Sequence, residues 1–198
     1  MGGVVITIDL PEAIRRFTQL GLENAGQTMD AYTQGGIFGD LERGTISAEE
    51  FRALLSNGVG RDVSMEDCRY AWMGCMKEVP KRNLLSLKAL REKGYRLILL
   101  SNTNTFITDW VLSPIFDGDG HSIDYYFDSL YLSYRLKMLK PDENMFKKVL
   151  QSEHINAEET LFIDDGIHNV AAAEKLGLRT FCPKNGEDWT IEIYDYLK

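Results

Sequence analysis

From Lys81 onward, short apolar runs alternate with segments whose apolar residues recur at helical spacing. This alternation constrains the fold more than any other feature of the chain. YRLILL (95–100) is an apolar run of the kind found in strands buried on both faces. FDSLYLS, TLFID and LRTFC read as further strands. Between them lie amphipathic segments. KRNLLSLKALREK carries Leu84, Leu85, Leu87 and Leu90 at helical spacing and stops at Gly94. Residues 105–112 read as a short helix closed by Ser113-Pro114, and DGDGHSID as a polar loop. Pro141 is expected in the first turn of a helix carrying Met145, Phe146, Val149 and Leu150, and HNVAAAEKLG reads as a helix with a glycine stop. Strand and helix in this order favour a doubly wound parallel sheet.

The first third reads differently. VVITID has a strand-like alternation, and after Pro11 four helical patterns follow: EAIRRFTQLG, AGQTMDAYTQ, SAEEFRALLS and SMEDCRYAWMGCMKEV. Ser47 with Glu50, and Ser64 with Asp67, form capping-box patterns. The expectation is a Rossmann-like α/β core from residues 1–10 and 82–198, with a helical cap inserted at 11–81. Trp72, Met73 and Met76 read as cap core, and Tyr125, Tyr126 and Phe127 as packing residues.

Bulk properties narrow the function. The net charge of −8 argues against non-specific binding to nucleic acid or to an anionic membrane, since both need a basic face. No apolar run approaches the ~20 residues of a membrane span, and no signal-peptide pattern opens the sequence. Cys68, Cys75 and Cys182 read as free thiols in a reducing cytoplasm, with Cys68 and Cys75 on one helix face. Oligomeric state is left open.

Three short motifs end strands: Ser101-Asn102 after YRLILL, Lys140-Pro141, and Asp164-Asp165 before Gly166. Strand C-termini face the crevice where α/β sheets bind ligands. Adjacent carboxylates repel unless a cation neutralises them, and hard oxygens suit Mg²⁺. A hydroxyl and turn amides can hold phosphate oxygens, and Lys140 would neutralise a phosphoryl group. Taken singly, the Asp pair also fits cap and turn residues, Ser101-Asn102 a polar turn, and Lys140 a surface lysine. The conjunction of all three in order is what points to a phosphate-handling site, with Asn169 one turn on to brace the loop.

In this order the motifs resemble the second, third and fourth motifs of the haloacid dehalogenase superfamily, closely over residues 81–182. GDLERGTISAEEF resembles the cap of the subgroup that includes glucose-1-phosphate phosphatase-like proteins and the N-terminal domain of soluble epoxide hydrolase. The resemblance implies a Mg²⁺-dependent phosphatase acting on small phosphorylated metabolites through an aspartyl-phosphate. Ser101 and the backbone at Asn102 would bind the phosphoryl group, and Lys140 would neutralise it. Asp165, helped by Asp164 and by the Gly2 carbonyl, would hold the metal. The subgroup's first motif is a strand ending in Asp-x-Gly-Gly-Val, and Met1-Gly2-Gly3-Val4 matches its last four positions. The nucleophile would therefore fall just upstream of Met1, and the chain as written is expected to be inactive. The family's second aspartate, a general acid, would fall at Gly2. In the cap, Arg43 beside Glu42 reads as a solvated charge with substrate contact as the alternative; His168 reads as a surface residue. Two other readings stand beside the phosphatase: a non-catalytic relative that binds a phosphorylated ligand or a partner protein, and a 2-haloacid dehalogenase, which needs no Mg²⁺.

Overall fold

The computed structural model describes residues 1–29 and 35–197. Chain order begins with β1 (Thr7–Ile8), α1 (Leu10–Gln19), α2 (Ala25–Thr28), α3 (Gly36–Arg43), α4 (Ala48–Val59), α5 (Met65–Met73) and β2 (Met76–Glu78). There follow α6 (Lys81–Glu92), β3 (Ile98–Ser101), α7 (Thr105–Val111), β4 (Ser129–Leu132), α8 (Ser133–Leu136) and α9 (Glu143–Glu153). The last elements are β5 (Leu161–Ile163), α10 (Ile167–Lys175), β6 (Arg179–Phe181) and α11 (Ile193–Tyr196).

Both capping boxes form. Ser47 and Ser64 accept from the backbone of Glu50 and Asp67, whose carboxylates accept from the serine amides in return. Asp9 caps α1 by accepting from the Glu12 amide. These helices close on an aromatic nest in which Phe17, Phe38, Phe51 and Trp72 meet one another, mostly edge to face. Phe51 also reaches Phe106 on α7, so the helical layer is continuous with the core beneath it.

The core is α/β and Rossmann-like. β3 pairs with β4 and β5 with β6, each in parallel. Between the two pairs lies a cavity of about 330 Å³. Ile98, Leu99 and Leu100 of β3 line it on one side and Leu161, Phe162 and Ile163 of β5 on the other. Met1, Val4 and Val5 line it as well. Among the described residues neither β3 nor β5 has a ladder partner on its second edge.

Several elements differ from the sequence reading. The VVITID segment holds only a two-residue strand, which pairs antiparallel with β2 instead of joining the parallel strands. The last helix of the first third stops at Met73, capped by Gly74, and Met76–Glu78 is extended. A Cβ on Gly74 would press on the Ala13 backbone, so this crossing requires glycine. Cys75 therefore lies beyond the helix that carries Cys68; both are free, as is Cys182. Pro141 precedes α9, whose N-cap is Asp142. Of AGQTMDAYTQ, Ala25–Thr28 is helical, while residues 30–34 lie outside the described part. Among the described residues no helix is long and apolar enough to cross a membrane.

Phe51 is fully buried and bridges the helical layer to α7. Phe51→Ala should lower the unfolding free energy by about 3–5 kcal/mol. Urea denaturation of both proteins measures it; a loss below about 1 kcal/mol would mean that the nest does not bind the two layers together.

Candidate active site

The C-terminal ends of β3 and β5 face a second, smaller cavity of about 120 Å³. Gly2, Ser101, Asn102, Lys140, Asp164 and Asp165 all line it, so the residues singled out from the sequence meet in one place. His168 is exposed and does not line it, and Arg43 pairs loosely with Asp40 at 3.7 Å. Its neighbour Glu42 faces the cavity, together with Trp72 and Cys75.

Lys140 organises the site. Its Nζ donates to the Leu100 carbonyl, the penultimate residue of β3, at 3.0 Å, and to Asp164 Oδ2, just past β5, at 2.5 Å. Asn102 fixes the lysine backbone from both sides: its Nδ2 donates to the Lys140 carbonyl at 3.0 Å and its Oδ1 accepts from the Lys140 amide at 2.9 Å. The Asn102 side chain thus acts as a clamp, a role its place in a strand-end turn did not disclose.

Asp164 spends its other oxygen on the Gly166 amide (2.9 Å) and on Asn169 Nδ2 (2.8 Å), so Asn169 does brace the loop. Burial works to raise the Asp164 carboxyl, but Lys140 and the hydrogen bond from Asn169 hold it below the usual carboxylate range. Asp165 is shifted the other way: burial and the charge of Asp164 both raise it. Among the described residues its carboxylate takes no hydrogen bond from another residue. It rests against the backbone of Gly3, where φ is +83° and a Cβ would collide with it.

Glu42, at the end of α3, also lines the cavity; burial pushes its carboxyl up to about 7 although Lys140 pulls it down. Burial and the neighbouring Glu42 and Asp9 push the Cys75 thiol up to about 12, which disfavours the thiolate near neutrality. Ser101 Oγ donates to the Asn102 carbonyl at 3.2 Å.

The arrangement can do two things. It offers a fixed cation, a hydroxyl and strand-end amides to an anion, and it leaves one carboxylate uncommitted beside a backbone that approaches closely.

Lys140 and Asp164 are both buried, so removing one strands the other. Lys140→Met should lower the unfolding free energy by about 3–5 kcal/mol at neutral pH. Because the native Asp164 carboxyl is depressed, the pair stabilises above the unfolded carboxylate pKa and its contribution fades as pH falls through the native one. The gap between wild type and variant should therefore narrow in acid. Denaturation at pH 7 and at pH 2, well below the ordinary aspartate value of about 3.9, checks this; a gap that widens in acid would contradict it.

Comparison with known proteins follows the same lines. A family model for haloacid dehalogenase-like hydrolases matches residues 74–177. The D-ribitol-5-phosphate phosphatase of Bacteroides thetaiotaomicron is 43% identical over 192 residues, covering 97% of this chain and 93% of that protein. The structure of a predicted HAD-like family hydrolase from Porphyromonas gingivalis superposes with a TM-score of 0.93 at 40% identity, covering 98% of this chain and 93% of that one. An aspartate-to-alanine mutant of a HAD family enzyme from Bacteroides thetaiotaomicron, in complex with magnesium and inorganic phosphate, superposes with a TM-score of 0.91 at 37% identity, covering 98% and 95%. With a model over half its length and a relative this similar across nearly all of it, the chain belongs to the haloacid dehalogenase-like hydrolases.

Proposed function

We propose that this chain is a phosphatase for small phosphorylated polyols, with D-ribitol 5-phosphate the first substrate to test, and that it works with Mg²⁺. The observation that carries the reading is the Lys140 bridge: one ammonium held between the ends of β3 and β5, beside a hydroxyl and an uncommitted carboxylate. The polyol follows from the relative that is 43% identical, and a small cavity walled partly by Asn102, Thr103, Asn104 and Glu42 suits a short hydroxylated chain.

The donor set fits Mg²⁺. Asp165 offers a carboxylate with no hydrogen bond from another described residue, lying against the Gly2–Gly3 backbone, and both are hard oxygen donors. Among the described residues no three His, Cys, Asp or Glu side chains form a metal cluster. Mg²⁺ usually keeps several waters and binds through one or two carboxylates together with a substrate phosphate. In this reading Asp165 and the Gly2 carbonyl hold the ion, and Asp164 is left to orient Lys140. When bound, Mg²⁺ screens the charge between the phosphate and an attacking carboxylate. Ser101 Oγ and the Asn102 amide bind phosphoryl oxygens, and Lys140 neutralises charge that develops there.

The nucleophile belongs to the same proposal. The cavity between β3 and β5 has apolar walls and an unpaired strand edge on each side, which suits a parallel strand inserted there. Met1 lines this cavity and the active-site cavity alike, so a strand running into Met1 would end at the site. An aspartate at that end would attack phosphorus and form an aspartyl-phosphate. On this reading residues 1–198 alone do not turn over. The division into a core of 1–10 and 82–198 and a helical cap of 11–81, and a cytoplasmic location for a chain with three free thiols, complete the proposal.

The test is to express the chain with and without an apolar strand ending in Asp directly before Met1, and to assay orthophosphate release. The extended form should hydrolyse p-nitrophenyl phosphate and D-ribitol 5-phosphate only with Mg²⁺, and residues 1–198 should not. Asp165→Asn in the extended form should lose about 10²-fold or more of that turnover. Robust turnover by residues 1–198 would place the nucleophile elsewhere. A folded extended form that is inactive on both substrates would favour a non-catalytic, phosphate-binding relative.

A further inference from the structure

We propose that Glu42, on the last turn of α3, is the general acid that protonates the departing alcohol oxygen. The inference rests on the phosphatase reading above and adds the proton donor that the reading lacks.

Breaking the ester bond of a polyol phosphate releases an alkoxide, a poor leaving group unless a proton reaches it as the P–O bond breaks. Few groups lining the cavity can supply that proton. The Lys140 ammonium is committed to the Leu100 carbonyl and Asp164. Asp164 is held ionised by Lys140, and Asp165 lies on the Gly3 side with the proposed metal. The Cys75 thiol is too weak an acid.

Glu42 stands apart from these. It comes from the helical layer, and among the described residues it forms no ion pair. Its backbone is fixed relative to the phosphate side. Ser133 Oγ donates to the Glu42 carbonyl at 2.6 Å and accepts from the Thr103 amide at 2.9 Å, so one hydroxyl joins the end of α3 to the turn after β3. Gly44, at φ +71°, lets α3 end against Tyr134, where a Cβ would collide with the tyrosine backbone. The carboxyl is thereby presented to the cavity by a rigid corner. Its surroundings also favour the protonated form: burial lifts it to about 7, with the charge of Lys140 opposing and the neutral Cys75 beside it.

The chemistry balances. As the carboxylate–phosphorus bond forms and the ester P–O bond breaks, the Glu42 proton passes to the leaving oxygen, giving the alcohol and the Glu42 carboxylate. Water then attacks the phosphorus of the aspartyl-phosphate. Its proton returns to Glu42, and orthophosphate leaves with the aspartate restored.

The test compares two leaving groups in the strand-extended chain and its Glu42→Gln variant. Glutamine keeps size and shape but cannot give up a proton, and thermal melts check that the variant folds. p-Nitrophenolate departs without protonation, whereas ribitol needs it. The proposal expects kcat on D-ribitol 5-phosphate to fall about 10²-fold or more, with a far smaller fall on p-nitrophenyl phosphate and little change in KM. Equal losses on both esters, no loss on either, or a change confined to KM would overturn the general-acid role. An unmodified extended chain inactive on both esters would overturn the phosphatase reading itself and this proposal with it, a result distinct from any Glu42→Gln outcome.

Discussion

The structure turns on a buried ammonium. Lys140 Nζ makes a direct polar link between the ends of two parallel strand pairs that share no ladder among the described residues. A lone charge at that depth would be costly, and a buried pair repays desolvation only with good geometry and satisfied partners. Here the partners are satisfied: a strand carbonyl and a carboxylate for the ammonium, an amide and Asn169 for the carboxylate's other oxygen, and Asn102 for the lysine backbone. A network this complete fixes where positive charge sits to within a side-chain rotamer, and a site that handles phosphate needs that placement before substrate arrives.

The same region carries a structural tension. β3 and β5 present strand edges across an apolar cavity of about 330 Å³, and buried backbone groups without partners are costly. Asn83 and Trp189 reach toward its rim, donating from Nδ2 and Nε1 to the Val4 carbonyl at 2.9 and 2.7 Å. Residues 1–6 therefore close one end of the cavity by side-chain hydrogen bonds and tight turns instead of by sheet pairing. The strand that we place there would satisfy both edges, fill the apolar volume and bring a carboxylate to Lys140, so stability and chemistry would be met by one segment.

Much of this was legible in the sequence, because the signals were local. Unbroken apolar runs marked β3 and β5, Ser47/Glu50 and Ser64/Asp67 marked two helix starts, and the polar residues after each strand end marked the site. What was missed depended on distant partners. Met76–Glu78 continues a helical pattern, yet it is extended because β1 lies beside it and Gly74 must pass the Ala13 backbone. Asn102 looked like a turn residue because its partner, Lys140, lies 38 positions away. Arg43 drew attention as a charge in the cap, whereas its neighbour Glu42 faces the cavity. One helical step separates them, and only the docking of α3 on α8 decides which of the two turns inward.

In the proposed reading the strand ends would supply fixed positive charge and hard oxygens, and Glu42 of the helical layer the proton for the leaving group. The most direct measurement is a crystal structure of the strand-extended chain grown with Mg²⁺ and orthophosphate. The account predicts phosphate between Ser101 Oγ and Lys140 Nζ, the metal on Asp165 and the Gly2 carbonyl, and the Lys140–Asp164 pair unbroken. Phosphate bound away from Lys140, or a metal that pulls Asp164 off the lysine, would contradict it.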